Sequence, residues 1–518
     1  MNRAQRRAAA KRQRTSNTSR LRKVLFSSGA LLGAGAAVVP AVPAAAATYE
    51  VTDPGDGVNG EGGLTLREAV EAANANPGPD TITFAGDVNS ILLTEGDIGI
   101  TDDIRIYDAE GDVTVDAQGN SRIFYSGTGE LGGGADVTIE GLSLINGDAD
   151  QDDDDAVVGD DLARQQGGAI SMYGGSLSLI DVTISNSHAD EGGAIGVEGT
   201  GLSIADSTLE GNSADYDGGA IFATDVSGDA FITGTTIADN TVGDYEYQPA
   251  SGEYGYPGYV AADSDFVGYD GGGVWFSSAD SDLTITGSII SGNDTPQGGG
   301  GVFFYASGYV EGEGPVGTGS LLVADSTIDG NRAGYFAEYD ATYSGSAAGG
   351  GIAAFSQLGT VSVTGGTISD NHAFTYEGEG KYSGTGGGLF TVADTTITGV
   401  TIVDNRAGKY GGGIATFGYG EGGAGETSLT ISGGEISGNL ASGGAGVSAA
   451  GVGDLTLQST QITGNQATLD SWFGNFGGGG VSVKYLRGAM SVDDTTISGN
   501  AAGGSGGRHR RAPVGGAA

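Results

Sequence analysis

The densest group of potential metal ligands in this chain is an acidic run: Asp148, Asp150, Asp152, Asp153, Asp154, Asp155, Asp160 and Asp161. Clustered carboxylates supply the hard oxygen ligands that Ca2+ takes, and Asp152, Asp153, Asp154 and Asp155 are its candidates here. The run follows neither the EF-hand spacing nor the Gly-Gly-x-Gly-x-Asp repeat, so the competing reading is a solvated acidic loop. Proton abstraction from a uronate would need Lys or Arg beside such a site. Between the basic N-terminal segment and the tail, the cations are Lys381, Lys409, Lys484, Arg67, Arg105, Arg122, Arg164, Arg332, Arg406 and Arg487. Glycoside hydrolysis would need two carboxylates ~5–9 Å apart. With 65 Asp and Glu in the chain, such a pair arises by chance.

Other polar residues recur in step with asparagines. Asp239, Asp370 and Asp404 each precede an Asn and read as turn formers. Arg332, Arg406 and Gln466 each follow one, and read as solvated corner residues. His188 and His372 lie one or two places beyond an Asn and read as turn histidines. These residues define no catalytic centre, and the expectation is a chain that requires no cofactor. A ligand-binding candidate is the tyrosine-rich stretch holding Tyr245, Tyr247, Tyr254, Tyr256, Tyr259 and Tyr269, since exposed aromatics stack on sugars or anchor a protein partner.

Two recurring signals must position all of these. One is a glycine run followed by an aliphatic residue, as at Gly192-Gly193-Ala194-Ile195, Gly271-Gly272-Gly273-Val274 and Gly411-Gly412-Gly413-Ile414. The other is an aliphatic residue with Asn three places on, giving Asn212, Asn240, Asn293, Asn331, Asn371, Asn405, Asn439, Asn465 and Asn500. Asn146 and Asn186 depart, with the aliphatic two places before, which suggests an altered turn. Repetition at this length indicates a solenoid. Between the signals lie short alternating segments such as Leu283-Thr284-Ile285 and Leu429-Thr430-Ile431, bounded by Gly and Asp, which read as strands. A parallel β-helix follows, one coil of three short strands and three turns per repeat. The asparagines would form a structural ladder of stacked amides and supply the left-handed corner conformation. The glycine runs would allow positive φ and close backbone approach. Longer repeats are insertions, mostly between the Asn corner and the next glycine run, which collects them on one side of the rod.

The chain before the repeats differs. Thr65-Leu66-Arg67-Glu68 fits a capping box, with Thr65 and Glu68 satisfying backbone donors of a helix over 65–76. Leu66 and Val70 lie on its apolar face, and its role would be to cover the first rung of the solenoid. Residues 1–47 hold nine Lys and Arg, no acid and an apolar stretch ending in Ala45-Ala46-Ala47, which reads as a signal peptide cleaved before Thr48. What remains, 48–518, has 13 basic against 65 acidic side chains, a formal net charge of −52. Such a surface repels nucleic acid and anionic membranes. Cysteine is absent, so no disulfide supports the fold.

The Gly-Gly-Ala-Ile and aliphatic-x-x-Asn alternation resembles the repeats of polymorphic outer membrane proteins, with Ile or Leu in place of their Phe. Leu64-Thr65-Leu66-Arg67-Glu68-Ala69-Val70, with Ala73-Asn74 and Asp80-Thr81-Ile82-Thr83-Phe84, resembles the Cys-Ser-Leu-Arg-Glu-Ala (CSLREA) module that caps exported β-helices. The resemblance covers about 49–500. It implies an all-β, right-handed, single-stranded parallel β-helix of the pectin-lyase-like kind at or outside the cell surface. Neither a C-terminal β-barrel pattern nor a sorting motif accompanies it. The expected organisation is a signal peptide (1–47), the CSLREA-like cap and first coils (48–135), the repeats with their Tyr/Asp-rich insertions (136–502) and a disordered Gly/Arg-rich tail (503–518). The expected function is an acidic, adhesin-like, monomeric and non-catalytic protein, not membrane-spanning once mature, that binds a surface glycan or protein. A polysaccharide lyase or glycoside hydrolase is the alternative, and a structural spacer the second.

Overall fold

The computed structural model describes residues 46–57, 62–127, 134–149, 166–243, 270–306, 317–334, 347–376, 382–418, 427–468 and 478–503, with backbone alone at 309–310, 314–315, 375–376 and 382. The signal-peptide candidate up to residue 45, the six loop tyrosines, Asp152–Asp155 and the tail from 504 lie outside the described residues.

Each repeat makes one coil. In a representative coil, Ile195–Glu198 and Gly201–Ala205 lie on one face, Thr208–Glu210 on a second and Ser213–Asp217 on a third. Gly218 and Gly219 then lead into Ile221–Thr224, one rung further along. The strands pair in parallel with the equivalent strands of the next coil, building sheets of 24, 13 and 10 strands among the described residues. This is a parallel β-helix. The first face carries two strand segments per coil, so a coil has four strands where the sequence suggested three. The two segments fuse in Ile352–Thr364 and Leu389–Thr398.

Alternation along each short strand explains the core. One side chain of each pair points inward and stacks on its equivalent in the next rung. On the second face this gives an unbroken isoleucine column: Ile290, Ile328, Ile368, Ile402, Ile436 and Ile462, all buried. On the third face the inward residues are alanines: Ala333, Ala373, Ala407, Ala441 and Ala467. They are small because the third strand lies directly against the glycine run. A Cβ on Gly350 would sit 2.4 Å from the carbonyl carbon of His372, and one on Gly412 would sit 2.5 Å from the carbonyl oxygen of Leu440. The glycines are a platform for the third sheet.

The helix Leu66–Ala75 covers the first rung, burying Leu66, Ala69, Val70 and Ala73. Thr65 Oγ1 accepts from the Glu68 N–H at 3.2 Å, and Glu68 Oε2 accepts from the Thr65 N–H at 3.1 Å. Arg67 ties the helix to the coil below. Its guanidinium is paired with buried Asp56 and donates to the carbonyls of Gly96 and Asp97. At the other end, Met490, Val492 and Ile497 are 45–48% exposed, with no further rung over them among the described residues.

The platform predicts an asymmetry between glycines. Gly350→Ala should lower stability by about 2–3 kcal/mol, through forced backbone displacement. Gly399→Ala, at φ 64° with nothing within 4 Å of the added Cβ, should cost only about 1 kcal/mol. Urea unfolding midpoints of the two variants check this.

Candidate binding face

The corner between the second and third faces contains the ladder asparagines. Asn212 Nδ2 donates to Asn240 Oδ1 at 3.0 Å, Asn240 to Asn293 at 2.9 Å, Asn293 to Asn331 at 2.9 Å and Asn331 to Asn371 at 3.0 Å. The series continues through Asn405, Asn439 and Asn465 to Asn500 at 2.9–3.0 Å. Each Nδ2 also donates to a carbonyl of the preceding rung, as Asn371 does to Ile328. Each Oδ1 accepts in addition the backbone N–H of the ladder residue one rung before, as Asn371 does from Asn331 at 3.0 Å. The amide is therefore buried with its polar capacity used.

The left-handed residue at this corner is not the asparagine but the one before it. Gly211, Asp239, Gly292, Gly330, Asp370, Asp404, Gly438, Gly464 and Gly499 all have φ between 55° and 68° apart from Asp370 at 50°. Asn146 and Asn186 occupy this slot too, at φ 56° and 54°. Their turn is thus unaltered. The ladder position passes to Gly147 and Ser187, with Gly147 N–H donating to Ser187 Oγ at 3.2 Å and Ser187 N–H to Asn212 Oδ1 at 3.0 Å. A second ladder escaped the sequence reading. At the preceding corner, hydroxyls of Ser207, Thr235, Ser288 and Ser326 accept the backbone N–H of the residue one rung before. Its signal is an Asp or Gly before Ser or Thr in these four repeats, Asp206-Ser207, Gly234-Thr235, Gly287-Ser288 and Asp325-Ser326.

Past the Asn corner, the third face aligns residues taken above as turn residues. Arg332, His372, Arg406 and Gln466 are in strands, not turns, as is His188 in the strand His188–Glu191. The register runs Asp294↔Arg332↔His372↔Arg406↔Leu440↔Gln466, one residue per rung. The partners in these strands, the buried alanines, fix the row as outward. Arg332 and Arg406 are exposed, and Asp294 and His372 half-buried. Desolvation, then Arg406 and Arg332, hold the His372 imidazole below its usual pKa against the pull of Asp370. Desolvation raises Asp294, with Arg332 opposing.

Nearer the N-terminus, the same side holds His188, whose Nδ1 lies 2.9 Å from Ser213 Oγ and Nε2 3.7 Å from Asp215. Beside it is an open groove of about 380 Å³ lined by Asp116, Gln118, Gly119, Asn146, Gly147, Asp148, Asn186 and His188. Among the described residues, no group of three or more His, Cys, Asp or Glu is arranged to hold a metal ion. Across the glycine run, the first face bears an aromatic row that sequence reasoning also missed. Phe222 stacks on Trp275 at 4.5 Å, and Trp275 on Phe303 at 6.3 Å, continuing through Phe355 and Phe390 to Phe417. Beside this row is Asp270, buried, whose N–H donates to Asp217 Oδ1 at 3.0 Å. Burial lifts the Asp270 carboxyl to about 7, a hydrogen bond from Gly298 partly opposing.

No family model matches the chain, and no curated protein matches it. Among solved structures, it is similar to the A-module of the mannuronan C-5 epimerase AlgE6 from Azotobacter vinelandii. The match has 14% identity over 84% of this chain and 94% of that one, with a TM-score of 0.39. It is also similar to PfbA, a surface adhesin of Streptococcus pneumoniae, at 12% identity over 87% and 93%, with a TM-score of 0.31. No described helix is long and apolar enough to cross a membrane.

Asn371→Ala strands the Asn331 amide donors and should cost about 3–5 kcal/mol. Asp370→Gly, in the left-handed slot, should be neutral or stabilising; urea midpoints separate the two. For Asp270, the folded value lies above the ordinary 3.8. The folded chain then keeps a proton the unfolded chain has lost, so this group's contribution to stability falls as pH rises from about 4 to 7 and levels off above. Asp270→Asn should match the parent at pH 4 and exceed it at pH 8 by up to about 4 kcal/mol, read from unfolding at both pH values.

Proposed function

We propose that this chain is an exported, non-catalytic binding rod that holds a surface glycan or protein along its third face. The observation that carries the reading is where the insertions leave. Segments 244–269, 335–346, 377–381 and 469–477 lie between a third-face strand and the following glycine run, and 150–165 between the Asp148 bridge to His188 and the run at Gly167, whereas 307–316 and 419–426 leave from the first face. The former hold most of the non-repeat tyrosines, with Trp472, Phe473, Phe476 and the Asp152–Asp155 run. Where most insertions of a solenoid share one side, that side is commonly its binding face. A rigid axis with a repeat of ~4.8 Å presents them at fixed intervals, so weak contacts add through effective concentration. The loop tyrosines would stack on sugar faces or fill partner pockets, and Asp152–Asp155 could take Ca2+ without the fold requiring it. Export rests on the basic–apolar–Ala segment at 1–47; the first strand, Thr48–Val51, begins at the expected new terminus.

The mature chain 48–518 is expected to retain a glycan or surface protein from an array and to release it unchanged. Deleting 244–269 should weaken retention at least tenfold without shifting the thermal midpoint. New reducing or unsaturated sugar ends would overturn the non-catalytic reading; retention unaffected by loss of the insertions would overturn the binding face.

A further inference from the structure

We infer that Arg332, His372 and Arg406 form an oxyanion-binding row for a linear acidic glycan lying along the rod axis. The inference rests on the third face being the binding side, and names the ligand chemistry of one stretch of it.

Three observations lead there. First, the placement is specific. The mature chain has 13 basic residues, and two of its arginines stand on the same register line two rungs apart with a histidine between them. Rungs ~4.8 Å apart put the two guanidinium stems ~10 Å from each other along the axis. Their direction is not left to rotamer choice alone, since Ala333, Ala373 and Ala407 face in and the row must face out.

Second, these guanidiniums differ from the structural ones. Arg67 is paired with Asp56, Arg105 with Glu140, and Arg122 is buried with its Nε donating to the Gln166 carbonyl. Among the described residues, Arg332 and Arg406 have no side-chain hydrogen bond or ion pair. Asp294, one rung from Arg332, is near enough to interact but forms no ion pair with it. In a mature chain of net charge −52, two guanidiniums two rungs apart, without an ion-pair partner among the described residues, are an unused local field. Each offers a planar fork that matches a carboxylate, sulfate or phosphate.

Third, the residue between them is suited to the middle of such a row. Partial burial, then the Arg406 and Arg332 guanidiniums, lower the His372 pKa and so favour its neutral form, which adds a hydrogen-bond donor and acceptor without a third positive charge. A linear polymer with oxyanions repeating at a multiple of the rung spacing would engage Arg332 and Arg406 together. A single small anion would engage one. Screening over ~8 Å at physiological salt confines the row's attraction to its own neighbourhood, so the distant acidic surface does not cancel it.

The test measures binding of mature 48–518 by calorimetry at 150 mM salt in EDTA. The probes are a uronate oligomer, a sulfated glycosaminoglycan oligomer, a glycerol-phosphate polymer and a neutral glucan, which separate the oxyanion sources. At least one acidic probe should bind. R332Q and R406Q should each weaken it about tenfold and the double variant more than thirtyfold. R487Q, another exposed arginine, should leave it unchanged. D294N, which removes the opposing carboxylate at the head of the row, should tighten binding two- to fivefold, a gain that misfolding cannot imitate. An acidic probe bound equally by parent and R332Q/R406Q overturns the row and leaves the glycan reading standing, as does binding of the neutral glucan alone. Absence of binding to every probe overturns the row, and with it the glycan half of the functional reading, leaving a protein partner.

Discussion

Everything outward in this protein depends on a buried amide ladder. From Asn212 to Asn500, each asparagine hands a hydrogen bond to the next, and each is also held by a carbonyl of the rung behind. The interaction is specific in a way the isoleucine columns are not. An aliphatic stack tolerates axial slippage, because dispersion contacts have no direction. An amide with two donors and an acceptor all engaged tolerates none, because a displaced rung leaves polar groups buried without partners. The ladder therefore sets which residue follows which across the third face, and so makes a row of Arg332, His372 and Arg406.

The ladder also explains how the chain absorbs insertions. Consecutive ladder residues are 26 apart at Asn439 and Asn465 but 53 apart at Asn240 and Asn293. The hydrogen bond is 2.9 Å in both cases. The corner closes the same way whether the chain returns at once or after an excursion. The glycine platform completes the arrangement: without Cβ atoms at Gly350 or Gly412, the third strand settles on the run and short two-residue strands suffice. A rod built so can vary its loops without disturbing its axis, which is what a displaying scaffold requires.

Much of the fold was legible in the residues. Aliphatic-x-x-Asn marked the ladder, Thr65 and Glu68 marked the helix start, and the glycine runs marked close approach. The misreadings have physical causes. Asparagine is the residue other than glycine most often associated with left-handed backbone, yet before every ladder asparagine from 212 to 500 an Asp or Gly takes that conformation and frees the amide to bond along the axis. The Ser/Thr ladder was hidden because Asp-Ser and Gly-Thr pairs are ordinary turn composition. Arg332, His372 and Arg406 read as corner residues because two-residue strands have too little alternation to register as strands. Phe222, Trp275 and Phe303 looked unrelated because insertions separate them unequally along the chain, though not in space. Arg67 stood within a recognised motif, but its partner Asp56 carries no local signal.

The central claim is that the rungs are held in this register over long sequence separations, and the absence of cysteine makes it directly measurable. Spin labels at Asp294→Cys and Leu440→Cys, four rungs apart on the third face, should give a narrow pulsed-EPR distance near ~19 Å between their backbone positions, after allowance for the label arms. A broad distribution, or a distance well beyond ~30 Å, would mean that the 145 intervening residues do not stack in this order, and the account would fail at its foundation.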